Sequence, residues 1–351
     1  MPAIEGWIVT TRSAAVTVMR DATTFTVDDK RFTTSQVVGP SMLSTDGPEH
    51  RRHRRPFNEP YRASSIDRLI KWMKTDARSL VSGLVPSCTA DLRRSLARPL
   101  AARSVHESLG MVDTEPATLL DWYNEIADSV DKATAGGGPT AGGLAAVSEL
   151  KAAVRDTVKT GPNSLLARVA PLAADVDELA RNAAIVLFGA LETAESTTSN
   201  ALWHLLENQE VLRTVARDRS VLTQAVDESM RLEPAAAVVD RYATEDVELG
   251  GAAIEAGHLV RVSLAGANRD PEAHVDPDAF RLDRSDEPAH VTFAQGPHTC
   301  LGAHMAKAQT AAAVDAVIDL LPDVALDRDR SPSPTGLVFR KPAAVVARWR
   351  S

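Results

Sequence analysis

The longest helical pattern in this sequence covers residues 175–207 and is apolar on all sides at its centre. Residues 183–191 show no polar face, and a helix of this kind is buried on every side. Other segments must therefore pack around it. Apolar residues also recur at helical spacing in residues 12–20, 66–109, 116–130, 221–232 and 301–321. The pattern predicts a mainly α-helical fold whose core is crossed by one long helix.

Short β-branched runs predict small sheets beside the helices. Strands are expected at residues 7–10, 238–242, 247–249 and 259–264, with a hairpin turn at Gly250-Gly251, whereas residues 25–38 are predicted to be irregular. A chain of 351 residues exceeds the ~150 residues usual for one domain. Helices of similar character nevertheless flank the glycine-rich residues 133–143, so we expect a single domain over residues 1–351.

Charge and cysteine content exclude several classes of protein. The net charge of -8 argues against a nucleic-acid-binding protein. Cys88 and Cys300 lie far apart and give no disulfide framework, which fits a reducing compartment, and Cys88 is interpreted as structural. Residues 1–6 show no signal peptide pattern, and residues 183–191 are too few for a membrane span. We expect a cytoplasmic protein with no membrane partner.

One cysteine stands in a glycine- and proline-rich loop, FAQGPHTCLG at residues 293–302, directly before a predicted helix. Such a loop holds the sulfur of Cys300 in place. Its backbone N–H groups and the positive end of the helix stabilise a thiolate there. A soft thiolate suits iron better than magnesium or calcium. The alternative is a buried cysteine without chemistry, the more common fate of a cysteine considered alone.

The spacing F-x-x-G-x-H-x-C-L-G resembles the heme-binding loop of the cytochrome P450 family. The resemblance covers residues 7–349 and implies the cytochrome P450 fold, mainly α with small β-sheets, lacking the usual first N-terminal helix and strand. It implies that Cys300 is the axial ligand of the iron of heme b (iron protoporphyrin IX). It also makes Phe293 and Gly302 part of the cofactor-binding loop.

A charged residue and a hydroxyl follow the apolar centre of the long helix, in GALET at residues 189–193. One interpretation is that Glu192 and Thr193 begin the exposed half of the helix, since further polar residues follow. The other is a resemblance to the A-G-x-[DE]-T segment of the same family. There the acid and the threonine line a local bulge and deliver protons to bound dioxygen, which makes Glu192 and Thr193 candidate catalytic residues.

The basic segment DGPEHRRHRRPF, residues 46–57, is predicted to be a helix with Pro48 in its first turn. A solvated basic face is one interpretation. The segment also resembles the family helix D-x-P-E-H-x-x-x-R-R, whose His and Arg contact the heme propionates, here His50 and Arg54. By the same resemblance, Arg241 and His298 are further propionate partners.

The other cations of this segment are expected to form a positive patch that attracts an acidic electron donor, a ferredoxin or flavodoxin. They are Arg51, Arg52, His53 and Arg55. Lys307 is expected on the same donor-facing side.

Glu228 and Arg231 lie three apart on a predicted helix and form an E-x-x-R pattern. An ordinary surface ion pair is one interpretation. In the family this pair is buried and holds the loop before the cysteine, together with an arginine that is Ala279 here. Arg284 or His290 is expected to take the place of that arginine.

The resemblance implies a heme-thiolate monooxygenase that inserts one oxygen atom from O2 into a small organic substrate with electrons from a ferredoxin. Two alternatives remain open. A heme-thiolate enzyme can instead perform peroxide-driven oxygenation, oxidative coupling or dehydrogenation. A non-catalytic heme- or ligand-binding relative is the second alternative.

Overall fold

The computed structural model describes residues 6–161 and 164–350. They are mainly α-helical with small β-sheets, as predicted. The helices are α1 Arg12–Arg20, α2 Thr33–Val38, α3 Gly47–Asn58, α4 Asp67–Leu84, α5 Arg98–Leu109, α6 Pro116–Thr134, α7 Ala141–Thr160, α8 Leu165–Val169, α9 Val176–Glu207, α10 Gln209–Arg217, α11 Leu222–Leu232, α12 Leu264–Ala267 and α13 Ala303–Leu320. The strands are β1 Gly6–Val9, β2 Phe25–Thr26, β3 Thr89–Asp91, β4 Val238–Ala243, β5 Val247–Leu249, β6 Ala252–Ile254, β7 Leu259–Ser263, β8 Ala325–Leu326 and β9 Val346–Arg348.

The backbone groups into two compact units. The first comprises Met1–Thr24, Ile70–Ala101 and Glu192–Ser351, and the second comprises Phe25–Leu69 and Ala102–Leu191. The single-domain organisation of the chain stays a prediction. Within the described residues, no helix is both long and apolar enough to cross a bilayer.

The core of the first unit is an apolar cluster supplied by α4, the C-terminal part of α9, α11 and α13. Beside it, β7 pairs with β1 in parallel and with β4 antiparallel. β5 and β6 form the predicted hairpin, and Gly250 and Gly251 take φ values of 59° and 77°. A two-residue hairpin loop in which both residues have positive φ is a type I′ turn, so these glycines determine the register of the hairpin.

In the second unit, α6 packs along α7 and α2 contacts both helices. The glycine-rich connection has a packing role at its end. A Cβ on Gly143 would lie 2.3 Å from the Cβ of Ser129, and one on Gly142 would lie 2.0 Å from a carboxylate oxygen of Glu125. Gly143 therefore allows α7 to lie close against α6, whereas the flexible Glu125 carboxylate beside Gly142 can move aside. Thr140 caps α7, because its hydroxyl accepts from the N–H of Gly143 at 3.0 Å.

Several parts of the secondary structure differ from the prediction. Residues 25–38 were predicted to be irregular, but their last six form α2. Its sequence, TTSQVV, is rich in β-branched residues that disfavour helix, and the burial of Thr34, Val37 and Val38 outweighs that preference. The antiparallel set β3–β9–β8 was not predicted at all, because each strand has only two or three residues.

Candidate active site

The loop around Cys300 forms a closed turn that leaves the thiol exposed. The backbone N–H of Cys300 donates to the carbonyl of Phe293 at 2.8 Å, and a 3-10 turn, Gly296–His298, lies between them. Cys300 is exposed, and its sulfur is in no disulfide with another described residue. Helix α13 begins at Ala303, two residues later than predicted, with Gly302 as its N-cap. The thiol thus stands three residues before a helix N-terminus, whose first N–H groups have no acceptor within the helix.

Gly296 is required by the close approach of this loop to α1. Its φ is +73°, and an added Cβ would lie 2.4 Å from the carbonyl oxygen of Met19. Arg20, at the end of α1, donates to the side-chain oxygen of Gln295 at 3.2 Å. Helix α1 therefore supports the loop at Gln295 and Gly296.

The start of the loop is anchored by Asn268 and by the ring of Phe293. Asn268 donates to Thr292 Oγ1 at 2.9 Å and accepts from the N–H of Val291 at 2.7 Å. Phe293 packs against the apolar core of the first unit, and the Lys307 ammonium lies 5.7 Å from its ring centroid. Lys307 also pairs with Asp227 at 2.7 Å and is one-third exposed.

Glu228 and Arg231 form a buried ion pair rather than a surface one. Arg231 donates to both carboxylate oxygens of Glu228 at 2.8 Å, and each side chain is 3% exposed. Arg231 also donates to the backbone carbonyls of Asn268 and Pro277 at 2.8 and 2.7 Å. The pair therefore holds the segments that precede the cysteine loop, as the resemblance implied.

Arg284, not His290, takes the place of the third member of this cluster. Its Nε donates to Glu228 Oε1 at 2.8 Å, whereas His290 lies 3.9 Å from Asp227. Arg284 also binds Glu287 at 2.8 Å. Burial raises the pKa of Glu287, but hydrogen bonds from His274 and Arg284 outweigh it and bring the pKa to about 2.

Of the two predicted propionate partners in the first unit, Arg241 is buried on β4 and His298 is half-buried in the 3-10 turn. Arg241 donates to the backbone carbonyl of Asp240 at 2.8 Å. The Asp240 carboxylate itself is bound by Arg261 through two contacts of 2.7 Å.

In the second unit, α3 carries the other two predicted partners. His50 is 4% exposed, and Arg54 donates to the side-chain oxygen of Asn58 at 3.3 Å. Asp46 is the N-cap residue, but its carboxylate accepts from Thr26 and Val27 instead of capping the helix.

The predicted positive patch on α3 is smaller than expected. His53 is 1% exposed, and its ring contacts the side-chain amide of Asn182 at 3.0 Å. Arg52 pairs with Glu178 at 2.7 Å and with Glu49 at 3.2 Å. His53 is therefore a core residue, because it lies three residues from buried His50 and shares its face. Arg51, Arg52 and Arg55 are exposed, but Arg52 is paired with the two glutamates.

Helix α9 is α-helical through Gly189, Glu192 and Thr193, with no 3-10 or π-helical turn in that part of the helix. The interpretation in which Glu192 and Thr193 begin an exposed half is wrong. Glu192 and Thr193 are half-buried, and the six polar residues 195–200 that follow are all buried.

The carboxylates of Glu192 and Glu195, on α9, are bound by two cations that the sequence patterns did not indicate. Lys341 Nζ lies 2.6 Å from Glu192 Oε1 and 3.3 Å from Glu195 Oε1. Arg93 Nε lies 2.7 Å from Glu195 Oε1. Arg93 begins a π-helical turn, Arg93–Ala97, a rare conformation that is frequent at functional sites.

Known proteins are similar to this chain in fold and in sequence. The Cytochrome P450 family model matches residues 172–320. The chain is 30% identical to Cytochrome P450 monooxygenase PikC of Streptomyces venezuelae over 371 residues, covering 99% of this chain and 86% of that protein. It is 26% identical to Pulcherriminic acid synthase of Bacillus subtilis (strain 168) over 344 residues, covering 90% and 84%. The crystal structure of CalO2 matches with a TM-score of 0.88 and 26% identity, covering 98% of this chain and 91% of that chain.

These matches, over nearly the whole chain, define a bacterial oxidoreductase that uses heme. The chain belongs to the cytochrome P450 family and is a monooxygenase. Members of this family bind heme b and use redox partners and small-molecule substrates.

The residues of the cysteine loop fit such a group. Cys300 offers the soft ligand atom that iron requires, and its thiol is exposed. An added Cβ on Gly302 would meet no atom within 4 Å, so there is open space beside the loop.

Proposed function

We propose that Cys300 is the axial ligand of the heme iron and that the chain inserts one oxygen atom of O2 into a C–H bond of a small organic substrate. The observation that carries this proposal is the cysteine loop. Gly296, Phe293 and Asn268 fix it from three sides while the thiol itself stays exposed before α13. The bound heme supplies dioxygen activation, in which two electrons and two protons turn O2 and R–H into R–OH and water.

The propionates of the heme require cations, because a buried unpaired carboxylate is unfavourable. We assign Arg241 and His298 of the first unit to them. The assignment of Arg241, which is buried on β4 and donates to the Asp240 carbonyl, rests on the family resemblance, as does that of His298. The same holds for His50 and Arg54, on α3.

Glu192 and Thr193 are assigned to proton delivery. Both are half-buried on α9, adjacent in sequence, and Glu192 stays linked to a cation that keeps its side chain in a defined place. A hydroxyl donates the proton where oxygen is reduced, and a carboxyl group replaces the proton that was used. Thr193→Ala is expected to divert most electrons to hydrogen peroxide while substrate affinity is kept. Unchanged product yield per electron pair would remove Thr193 from the proton path.

We propose that the electron donor is an acidic ferredoxin or flavodoxin, attracted by the exposed Arg51 and Arg55 of α3. The family resemblance gives the same role to Lys307, which is one-third exposed on α13. Charge attraction accelerates such encounters and weakens with added salt. Cys88 and Cys300 lie far apart in sequence and give no disulfide framework, which supports a cytoplasmic location, where such donors are reduced.

Reconstitution tests the function as a whole. The purified protein is supplied with NADPH, a ferredoxin reductase and an acidic ferredoxin, and a panel of small organic compounds is screened for oxygenated products labelled from 18O2. We expect 18O-labelled product and a rate of reduction that falls as salt rises. Product formed only with added peroxide, or product without 18O, would contradict the proposal. A salt-independent rate of reduction would contradict the donor assignment alone.

A further inference from the structure

We propose that Lys341 is a positioning residue for Glu192. Its ammonium holds the Glu192 carboxylate in the place from which that group replaces the proton used at Thr193. The inference rests on the proposed role of Glu192 and adds a residue, from the C-terminal part of the chain, that no sequence pattern singled out.

The contact itself is short and enclosed. Lys341 Nζ lies 2.6 Å from Glu192 Oε1, and the side chains are 19% and 13% exposed. At this exposure water competes less for the ammonium and the carboxylate than at a fully exposed pair, so the charge-assisted hydrogen bond keeps more of its strength. The geometry favours Glu192 as the main partner, because the second carboxylate, Glu195, lies farther away at 3.3 Å.

Glu195 does not explain the presence of Lys341. Its carboxylate is 1% exposed and already accepts from Arg93 Nε at 2.7 Å. A buried carboxylate needs a cation, and Arg93 meets that need without Lys341. The contacts run from Arg93 to Glu195, from Glu195 to Lys341 and from Lys341 to Glu192. Of the two carboxylates, Glu192 lies closer to Lys341 and is the one to which the proposed reaction assigns a role.

The backbone of Lys341 is fixed well enough to direct a side chain. Lys341 and Thr335 exchange two N–H to C=O hydrogen bonds of 3.2 Å, and Arg340 donates from its N–H to the carbonyl of Ala235 at 2.9 Å. Two residues further on, the carbonyl of Ala343 accepts from Arg93 Nη1 at 2.7 Å. Arg93 thus binds both Glu195 on α9 and the backbone two residues after Lys341. A group held on such a support keeps the geometry that proton transfer demands.

The test compares Lys341→Met, Lys341→Arg and Glu192→Gln with a control, Lys132→Met. Lys132 pairs with Asp128 at 2.7 Å, but both side chains are more than half exposed and belong to the second unit. The yield of product per electron pair is measured for each holoenzyme. We expect Lys341→Met to lower the yield about tenfold at neutral pH, less than the ~10²–10⁴-fold contribution of an acid–base group, because Glu192 is displaced and not removed. Lys341→Arg should recover most of it, and Lys132→Met should leave it unchanged.

Rescue by the conservative variant separates positioning from general damage. Lys341→Arg keeps a cation beside Glu192, so a yield that recovers in that variant but not in Lys341→Met indicates positioning. A readout independent of turnover is the urea unfolding of both single variants and of the double variant. If the two side chains act as a pair, the double variant should be no less stable than the worse single variant. Lys341→Gln replaces Lys341→Met if the latter does not retain heme.

The outcomes distinguish this inference from the proposed function. If Glu192→Gln lowers the yield and Lys341→Met does not, Lys341 has no positioning role while Glu192 keeps its own. If Glu192→Gln leaves the yield unchanged, the role of Glu192 is wrong and the inference fails with it. If Lys341→Arg gives no recovery, or the effects on unfolding are additive, the pair does not act as proposed.

Discussion

Replacing Arg284 with leucine tests how the loop before Cys300 is supported. The Glu228 carboxylate, 3% exposed, accepts from Arg231, Arg284 and the backbone N–H of Arg281. In Arg284→Leu it keeps two of these donors and loses the contact of 2.8 Å to Arg284. Glu287 loses its contact of 2.8 Å at the same time.

Arg284 also donates to the backbone carbonyls of Val275, Asp276 and Ala279 at exposed positions, where water can replace it. The magnitude therefore follows mainly from the two carboxylate contacts. A hydrogen bond to a charged group contributes about 1.5–3 kcal/mol. Both carboxylates keep other donors, so the lower end applies, and we expect Arg284→Leu to lower the free energy of unfolding by about 3 kcal/mol. The matched control is Arg281→Leu, which removes the same charge three residues away. Its side chain pairs with Asp276 and Asp283, both about three-quarters exposed, so the loss should stay below about 1 kcal/mol.

Urea unfolding followed by far-UV circular dichroism measures stability, and the Soret band of the same samples reports heme retention. We expect Arg284→Leu to release heme at a lower urea concentration than Arg281→Leu, because only the former loosens the segments that precede the cysteine loop. Equal destabilisation by the two variants would refute the reasoning. It would mean that Arg284 contributes no more than a surface cation. The arginine that the family has at the position of Ala279 would then have no replacement in this chain.

Two further predictions concern the loop and the core. Gly296→Ala should weaken heme binding and lower the free energy of unfolding by several kcal/mol, because the added Cβ collides with the backbone of α1. The control is Gly250→Ala, which also has a positive φ but open space around it and should cost about 1 kcal/mol. Heme titration and urea unfolding compare the two variants, and equal effects would contradict the collision. Burial, with the charges of Arg269 and Arg231, lowers the pKa of His204 from 6.5 to about 3. The unfolded state therefore binds more protons between those values, so stability falls as pH drops from 6.5 towards 3. His204→Gln should show a shallower fall over that window, and an unchanged slope would contradict the shift.

Elements with a strong periodic pattern could be predicted from the sequence. The helix at residues 175–207 is found as α9, Val176–Glu207, and the strand at residues 238–242 as β4, Val238–Ala243. The first contains an apolar run typical of a buried helix and the second begins with β-branched residues, so the local pattern agrees with the packing. The cysteine loop was recognisable for a different reason, its resemblance to a family loop. The backbone requires one of its glycines, Gly296, whose φ is positive.

The contacts that distinguish this site could not be predicted, because they join residues far apart in sequence. Lys341 and Glu192 are 149 positions apart (341 minus 192), and Arg93 and Glu195 are 102 apart. No periodicity links such residues, and only the packed chain brings them together. The burial of His53 did leave a signal. His50, His53 and Phe57 recur at helical spacing on one face, which the abundance of arginine in this segment obscured.

The absorption spectrum of the reduced protein with carbon monoxide tests the central claim, that the Cys300 thiolate binds the heme iron. For the unsubstituted protein we predict the strongly red-shifted Soret band that thiolate ligation produces. Cys300→Ser should lose that band while its far-UV circular dichroism is retained. A band typical of histidine-ligated heme, or a red-shifted band that survives in Cys300→Ser, would contradict the account.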